Sequence, residues 1–281
     1  MVIRMGLLDE IKETASQQPT PKPEVDWLGE EKETILLYGP PKCGKTWAYC
    51  SLIEKVIKDG GHVYIINTDG GVSKTFKQYF GEKVPEVRKS ITFEFCADLK
   101  DLKDVVDSMK QKVNSNDLVI IDLISTFWDM AQRKFIEEAS KGNPIDLYVE
   151  ASKNPSKFGA FTSTQWQYIK SVHNYITQPF TSMAKCNVIG VCAQKNLEVL
   201  QARTGGKNKK PEYEAAGAYP AGEPNLAHDF NTIVYVNKLD TGLKHYFQIM
   251  GDRGAVTDQK MISFDKEFWS KFEEERKKRY K

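Results

Sequence analysis

The sequence predicts an α/β fold with a mainly parallel central sheet and helices on both faces. Three observations carry that expectation. Strand-like apolar runs alternate with helix-like stretches from Thr34 onward, the first run leads into a glycine-rich turn that opens a helix, and a later run of four apolar residues ends in an aspartate. At 281 residues and 40% hydrophobic content, the chain is long enough for one large domain with appended segments.

Taken in order, Ile3, Leu7, Leu8 and Ile11 recur at helical spacing, and the prolines of "SQQPTPKPEV" favour an extended tether, so residues 1–26 read as a short helix on a linker. Residues 27–254 form the predicted core. It opens with a strand over 34–38, a helix over 45–58, strands over His62–Asn67 and Ile91–Phe95, and a helix over 99–113. "DLVIID" then reads as a buried strand, Leu118 to Ile121, with Asp122 at its C-terminal tip, where open α/β sheets place their ligands.

The span from Asp122 to the next strong strand, Cys186–Ala193, is too long for a plain crossover helix. It mixes Phe127, Trp128, Phe135, Tyr148, Phe158, Phe161 and Trp166 with Arg133, Lys134, Lys141, Lys153 and Lys157. Phe127 and Trp128, so close to the sheet, are expected in the core. After Gln194 comes an irregular segment with Arg203, Lys207, Lys209 and Lys210 around Gly205 and Gly206. Strands over Phe230–Lys238 and Lys244–Met250 then lead to Asp252 and Arg253 at the expected end of the sheet. Residues 255–281 close the chain with a charged helix whose buried side is Phe268, Trp269 and Phe272.

The chemistry concentrates in "GPPKCGKTW", residues Gly39 to Trp47. Gly39, Gly44, Lys45 and Thr46 satisfy the G-x-x-x-x-G-K-[ST] spacing between a strand and a helix. A loop of this kind, here Gly39, Pro40, Pro41, Lys42, Cys43 and Gly44, curls its N–H groups around a phosphate, and the following helix adds the positive end of its dipole. Lys45 then reaches the β- and γ-phosphates, and the Thr46 hydroxyl is a ligand for Mg²⁺. The expected bound species are therefore ATP and Mg²⁺.

Composition excludes several other classes. Net charge is only +2, so any polyanion site must be a local cluster. Five cysteines show no C-x-x-C pairing, the four histidines are scattered, no segment reads as a signal peptide, and no apolar run approaches about 18 residues. A reducing, cytoplasmic setting without a membrane partner is the expectation.

The ordered set of P-loop, acidic residue after the next strand, aspartate-tipped strand and later strand ending in Gln resembles the RecA-like branch of the P-loop ATPases, over roughly residues 27–254. The single-domain build and "EPNLAHDFNTIVYV" look most like the small RecA/RadA-like ATPases of phages and archaea, a group associated with single-strand DNA binding, annealing and recombination. The resemblance implies a self-assembling ATPase. It puts Asp69, where the family has a Glu, in the role of polarising the attacking water, with a turn-forming Asp before Gly70 and Gly71 as the alternative. Asp122 orients Mg²⁺ through its water shell, Gln194 feels the γ-phosphate, and the segments near 127–164 and 195–229 fall where the family's DNA-contacting loops lie. There Arg203, Lys207, Lys209 and Lys210 are the DNA-binding candidates. Arg253 stands where related hexameric motors place a Lys-x-Arg pair reaching into the neighbouring subunit, although Gly251 replaces the lysine.

Two other functions fit the same residues. One is a ring helicase or DNA-packaging motor of the same branch; the other is a nucleotide-dependent switch that binds protein partners and no DNA, in which the basic stretch 203–210 is a solvated face. A small-molecule kinase would need a lid of several arginines, which is not evident.

Overall fold

A computed structural model of the chain describes residues 32–139, 162–203, 210–238, 245–252, 261–263 and 269. Its strands are β1 (Thr34–Tyr38), β2 (Val63–Asn67), β3 (Ile91–Phe95), β4 (Leu118–Asp122), β5 (Asn187–Cys192), β6 (Gln194–Asn196), β7 (Ala218–Pro220), β8 (Thr232–Lys238), β9 (His245–Asp252) and β10 (Met261–Ser263). The helices are α1 (Lys45–Lys58), α2 (Val72–Phe80), α3 (Val84–Val87), α4 (Leu99–Lys112), α5 (Ser125–Ala139), α6 (Ser163–Thr177) and α7 (Leu197–Arg203). Eight strands form one sheet in the order β10-β9-β8-β1-β5-β4-β2-β3, and β6 and β7 form a separate ribbon. From β8 to β3 every pairing is parallel, whereas β9 and β10 add antiparallel.

The parallel strands hold together because both their faces are covered. Every residue of β1, β2 and β4 is buried, as expected of apolar runs without polar alternation. Successive side chains enter opposite layers. Leu36, Tyr38, Ile66, Val119 and Ile121 pack with Leu102 and Val106 of α4, Phe127 of α5, and Ile169 and Val172 of α6. On the opposite face, Ile35, Leu37, Ile65 and Ile120 pack with Tyr49 and Ile53 of α1, Phe80 of α2, and Trp269. Each buried Leu or Ile contributes roughly 1.5–3 kcal/mol relative to exposure.

Local signals set where helices begin. The Asp98 carboxylate accepts from Asp101 N–H at the start of α4. At α6 the Thr162 hydroxyl accepts from Gln165 N–H while the Gln165 side chain accepts from Thr162 N–H, a reciprocal cap. Phe127, Trp128, Ala131 and Phe135 form the buried stripe of α5.

Three expectations change. The span after Asp122 is helical at both ends, as α5 and α6, so residues 127–139 are not an irregular nucleic-acid loop; the helical spacing of its aromatics puts them in the core, as Phe127 and Trp128 were expected to be. The segment after Gln194 contains the β6–β7 ribbon and α7, and is only partly irregular. β9 is not the last strand, because β10 pairs with it antiparallel through Met261↔Gln248. The N-terminal helix and tether, and the C-terminal helix apart from Trp269, lie outside the described residues.

Trp269 is 5% exposed, and its indole N–H donates to the Ala48 carbonyl in α1 at 3.0 Å. Trp269→Ala should therefore lower stability by about 3–5 kcal/mol, read as a lower urea midpoint. A loss below about 1 kcal/mol would show that the indole does not anchor the C-terminal segment to α1.

Candidate functional site

Parallel pairing sends the C-terminal ends of β1, β2, β4 and β5 to one edge of the sheet, and the candidate residues follow those ends directly. β1 leads into Gly39, where an added Cβ would sit 2.0 Å from the Val236 carbonyl oxygen of β8; only glycine lets the chain turn there. Gly44 closes the loop at φ +99°, a left-handed conformation, and hands the chain to α1. The Lys45 ammonium donates to the carbonyls of Gly39 and Pro40, both at 2.8 Å, and lies 3.6 Å from Cys43 Sγ. Its charge thus sits across the mouth of the loop. Trp47 points elsewhere, edge-on to Tyr79 of α2 at 4.8 Å.

The loop meets the tip of β4 one residue past Lys45. Thr46 Oγ1 donates to Asp122 Oδ2 at 3.2 Å, and Tyr49 OH donates to the same oxygen at 2.9 Å. Asp122 is 3% exposed. Burial pushes its carboxyl up to about 6; the Tyr49 hydrogen bond opposes the rise, the Asp69 charge adds to it, and Thr46 and Lys45 pull it down. A hydroxyl beside a carboxylate is a pair of hard oxygen donors, the set a Mg²⁺ ion takes while keeping several waters. These two residues fit that ion.

β2 places Asn67 beside Asp122 in register, and the chain then turns through Asp69. Asp69 is exposed; its Oδ1 accepts from Gly71 N–H at 2.8 Å, and Asn67 Oδ1 accepts from Asp69 and Gly70 N–H at 3.3 Å. Turn formation thus occupies one carboxylate oxygen. Next to this turn the Thr68 hydroxyl accepts from Leu123 N–H at 2.9 Å and lies 2.7 Å from Thr126 Oγ1, fastening the backbone that leaves Asp122 to the end of β2.

β5 lies between β1 and β4, so Gln194, two residues past its end, emerges between the loop and Asp122. Gln194 Oε1 is buried with no hydrogen-bond partner among the described residues. Buried polar atoms ordinarily have one. Its backbone leads into the ribbon, paired Gln194↔Pro220 and Lys195↔Tyr219.

Of the predicted basic residues, Lys210 lies 5.6 and 5.4 Å above the rings of Tyr213 and Tyr219 and donates to the Pro224 carbonyl at 3.4 Å. Arg203 ends α7. Lys207, Lys209 and Arg253 lie outside the described residues. Tyr49 and Thr68 were missed by sequence reasoning. For Tyr49 a signal existed, since four positions after Lys45 is one helical turn and therefore the same face of α1.

The family model described as "AAA domain" matches residues 31–237. Among curated proteins, the DNA repair and recombination protein RadB of Methanobrevibacter smithii is 30% identical over 122 residues, covering 40% of this chain and 52% of that protein. The RadB of Methanosphaera stadtmanae is 26% identical over 160 residues, covering 55% and 64%. The chain thus spans about half to just under two thirds of the length of these relatives. A crystal structure of a RadB recombinase aligns with a TM-score of 0.49 at 18% identity, covering 83% of this chain and 86% of that one. With the family model matching most of the chain and its P-loop joined to the tip of β4, the chain belongs to this AAA-domain family.

Proposed function

We propose that the chain is an ATP-hydrolysing, DNA-binding protein that acts on single-stranded DNA in recombination or annealing, as a homo-oligomer in the cytoplasm. The observation that carries the proposal is the contact between the P-loop hydroxyl of Thr46 and the buried carboxylate of Asp122, with Gln194, whose Oε1 has no hydrogen-bond partner among the described residues, two residues past the end of the strand between them. Relatives named for DNA repair and recombination support the biological setting.

The roles follow from position. Backbone N–H groups of Lys42–Thr46 and the N-terminus of α1 receive the phosphates of ATP, and Lys45 exchanges the Gly39 and Pro40 carbonyls for phosphate oxygens. Thr46 and, through water, Asp122 would hold Mg²⁺, which supplies positive charge against the phosphate oxygens. Asp69 orients the attacking water with the carboxylate oxygen not engaged by Gly71. Gln194 senses the γ-phosphate and transmits its presence along β6. Arg203, Lys207, Lys209 and Lys210 neutralise DNA phosphates. Arg253 acts on the ATP of a neighbouring subunit, which makes turnover depend on assembly.

ATP turnover measured with and without single-stranded DNA tests this reading, alongside solution mass with a non-hydrolysable ATP analogue. Turnover should rise with DNA, vanish in Lys45→Ala, and fall on the order of 100-fold in Asp69→Asn with ATP binding retained. Full activity in a folded Lys45→Ala protein would overturn the site; loss of less than a few-fold in Asp69→Asn would return Asp69 to its turn.

Asp122 also predicts a pH signature. Its folded-state pKa of about 6 exceeds the ordinary 3.8, so the stability this group contributes is complete below about pH 4 and is lost as pH rises through 6. Asp122→Asn, always neutral, should be more stable than the natural protein at pH 8 without nucleotide or metal, by up to about 3 kcal/mol, and the difference should shrink toward pH 4. Thermal melts across that range check the sign. A variant less stable at pH 8, or an offset independent of pH, contradicts it.

A further inference from the structure

The chain leaving β4 is held by two hydroxyl groups to which the roles above assign nothing. Leu123, the residue after Asp122, has one N–H and one carbonyl to satisfy. Thr68 Oγ1 accepts from the Leu123 N–H at 2.9 Å, Thr126 Oγ1 donates to the Leu123 carbonyl at 2.6 Å, and the two hydroxyl oxygens lie 2.7 Å apart. A threonine hydroxyl has one proton to give. With the Thr126 proton spent on the Leu123 carbonyl, the Thr68 proton goes to Thr126 Oγ1. The bonds then close a ring from Leu123 N–H through Thr68 and Thr126 back to the Leu123 carbonyl. The longer approach of Thr68 Oγ1 to that carbonyl, at 3.1 Å, is the weaker use of the same proton.

The ring joins distant parts of the chain. Thr68 follows the end of β2, and Thr126 stands in the first turn of α5. The Thr68 N–H also donates to the Asp122 carbonyl at 2.8 Å, one step beyond the last β2–β4 register pair, Asn67↔Asp122. Thr68 is thus bound to the exit of β4 by its backbone and by its side chain. Asp69 is the next residue.

Past Thr68 the turn has weaker support. The N–H groups of Asp69 and Gly70 reach Asn67 Oδ1 at 3.3 Å, Asp69 is exposed, and Gly70 lies at φ +73° with a second glycine after it. The Asp69 charge also bears on Asp122 across the opening. Like charges move apart unless the backbone between them resists. The ring around Leu123 supplies that resistance, because it fastens the residue before one carboxylate to the residue after the other.

We propose that Thr68 is a positioning residue for ATP hydrolysis: by closing the ring around Leu123, it holds Asp69, which orients the attacking water, at a fixed separation from Asp122, which orients the cation. The inference rests on the hydrolytic reading above and adds a residue that acts through Asp69. Misplacing a reacting group by about 1 Å can cost on the order of 100-fold in rate. Phosphate binding at the P-loop does not pass through Thr68. Opening the ring therefore lowers turnover and leaves ATP affinity in place.

The test is steady-state hydrolysis of ATP with Mg²⁺ by the full chain and by Thr68→Val, Thr68→Ser, Asp69→Asn and the double variant Thr68→Val/Asp69→Asn, at one protein concentration and with a melting temperature for each. Thr68→Val should lower kcat about 10- to 100-fold with little change in KM, and Thr68→Ser, which keeps the hydroxyl, should recover most of the loss. The double variant should be no slower than Asp69→Asn, because the two residues act as a unit; a general loss of packing would multiply instead. Where Thr68→Val does not fold, Thr126→Val opens the same ring from α5 and should show the same kcat loss and the same non-additivity with Asp69→Asn. If the ring-opening variant turns over ATP as fast as the natural chain, or its loss multiplies with that of Asp69→Asn, the ring does not position the water, and the hydrolytic reading stands without it. If Asp69→Asn alone keeps full turnover, the inference falls with the role of Asp69. If the natural chain hydrolyses no ATP, the hydrolytic reading falls and the inference with it.

Discussion

The Asp122 carboxylate, buried at the tip of β4 and shared by Tyr49 and Thr46, is the contact on which the arrangement depends. An ionised carboxylate in an apolar core is costly unless hydrogen-bonded. Two hydroxyls from one turn of α1 reduce that cost, which requires α1 to cross the end of β4 even though β5 separates β4 from the strand that feeds α1. The P-loop therefore has to bridge one strand's width. Gly39, passing against the Val236 carbonyl, and Gly44, in the left-handed conformation, allow it to do so.

The same buried charge sets stability against function. Burial holds the Asp122 pKa near 6, and a neutral residue there would suit the core better. A buried carboxyl with a raised pKa is the kind of group that the proposed cation site would use. Lys45, donating to loop carbonyls, and Asp122, receiving from hydroxyls, keep opposite charges on the two sides of one opening.

Much of this was legible in the sequence. The apolar runs at β1, β2, β4 and β5 have one reading because strands covered on both faces cannot alternate, and the Gly39–Thr46 spacing has one because few backbones need glycines so placed before a lysine. The meeting of Thr46 with Asp122 follows once the strands are parallel. Elsewhere local pattern was insufficient. The span that holds Phe127, Trp128 and Phe135 read as long and irregular, and although Phe127 and Trp128 were expected in the core, the helix whose buried stripe they form with Phe135 was not. The β6–β7 ribbon consists of two three-residue strands that only pairing across the intervening segment defines. Tyr49 is an ordinary helical tyrosine until β4 is brought beside it, and the parallel stacking of Trp128 on Trp166 joins helices separated by residues 140–162.

The central claim is that Asp122, oriented by Tyr49, couples the cation to the P-loop. Calorimetric ATP binding to the natural chain and to Tyr49→Phe, each with and without Mg²⁺, tests it most directly. Without Mg²⁺ the two proteins should bind ATP equally, since the contacts of the Tyr49 hydroxyl run to Asp122 and Thr46, the two proposed metal ligands. With Mg²⁺ the natural chain should gain about 10-fold more affinity than Tyr49→Phe, the scale of one hydrogen bond to a charged group. An identical Mg²⁺ dependence in the two proteins would contradict the claim.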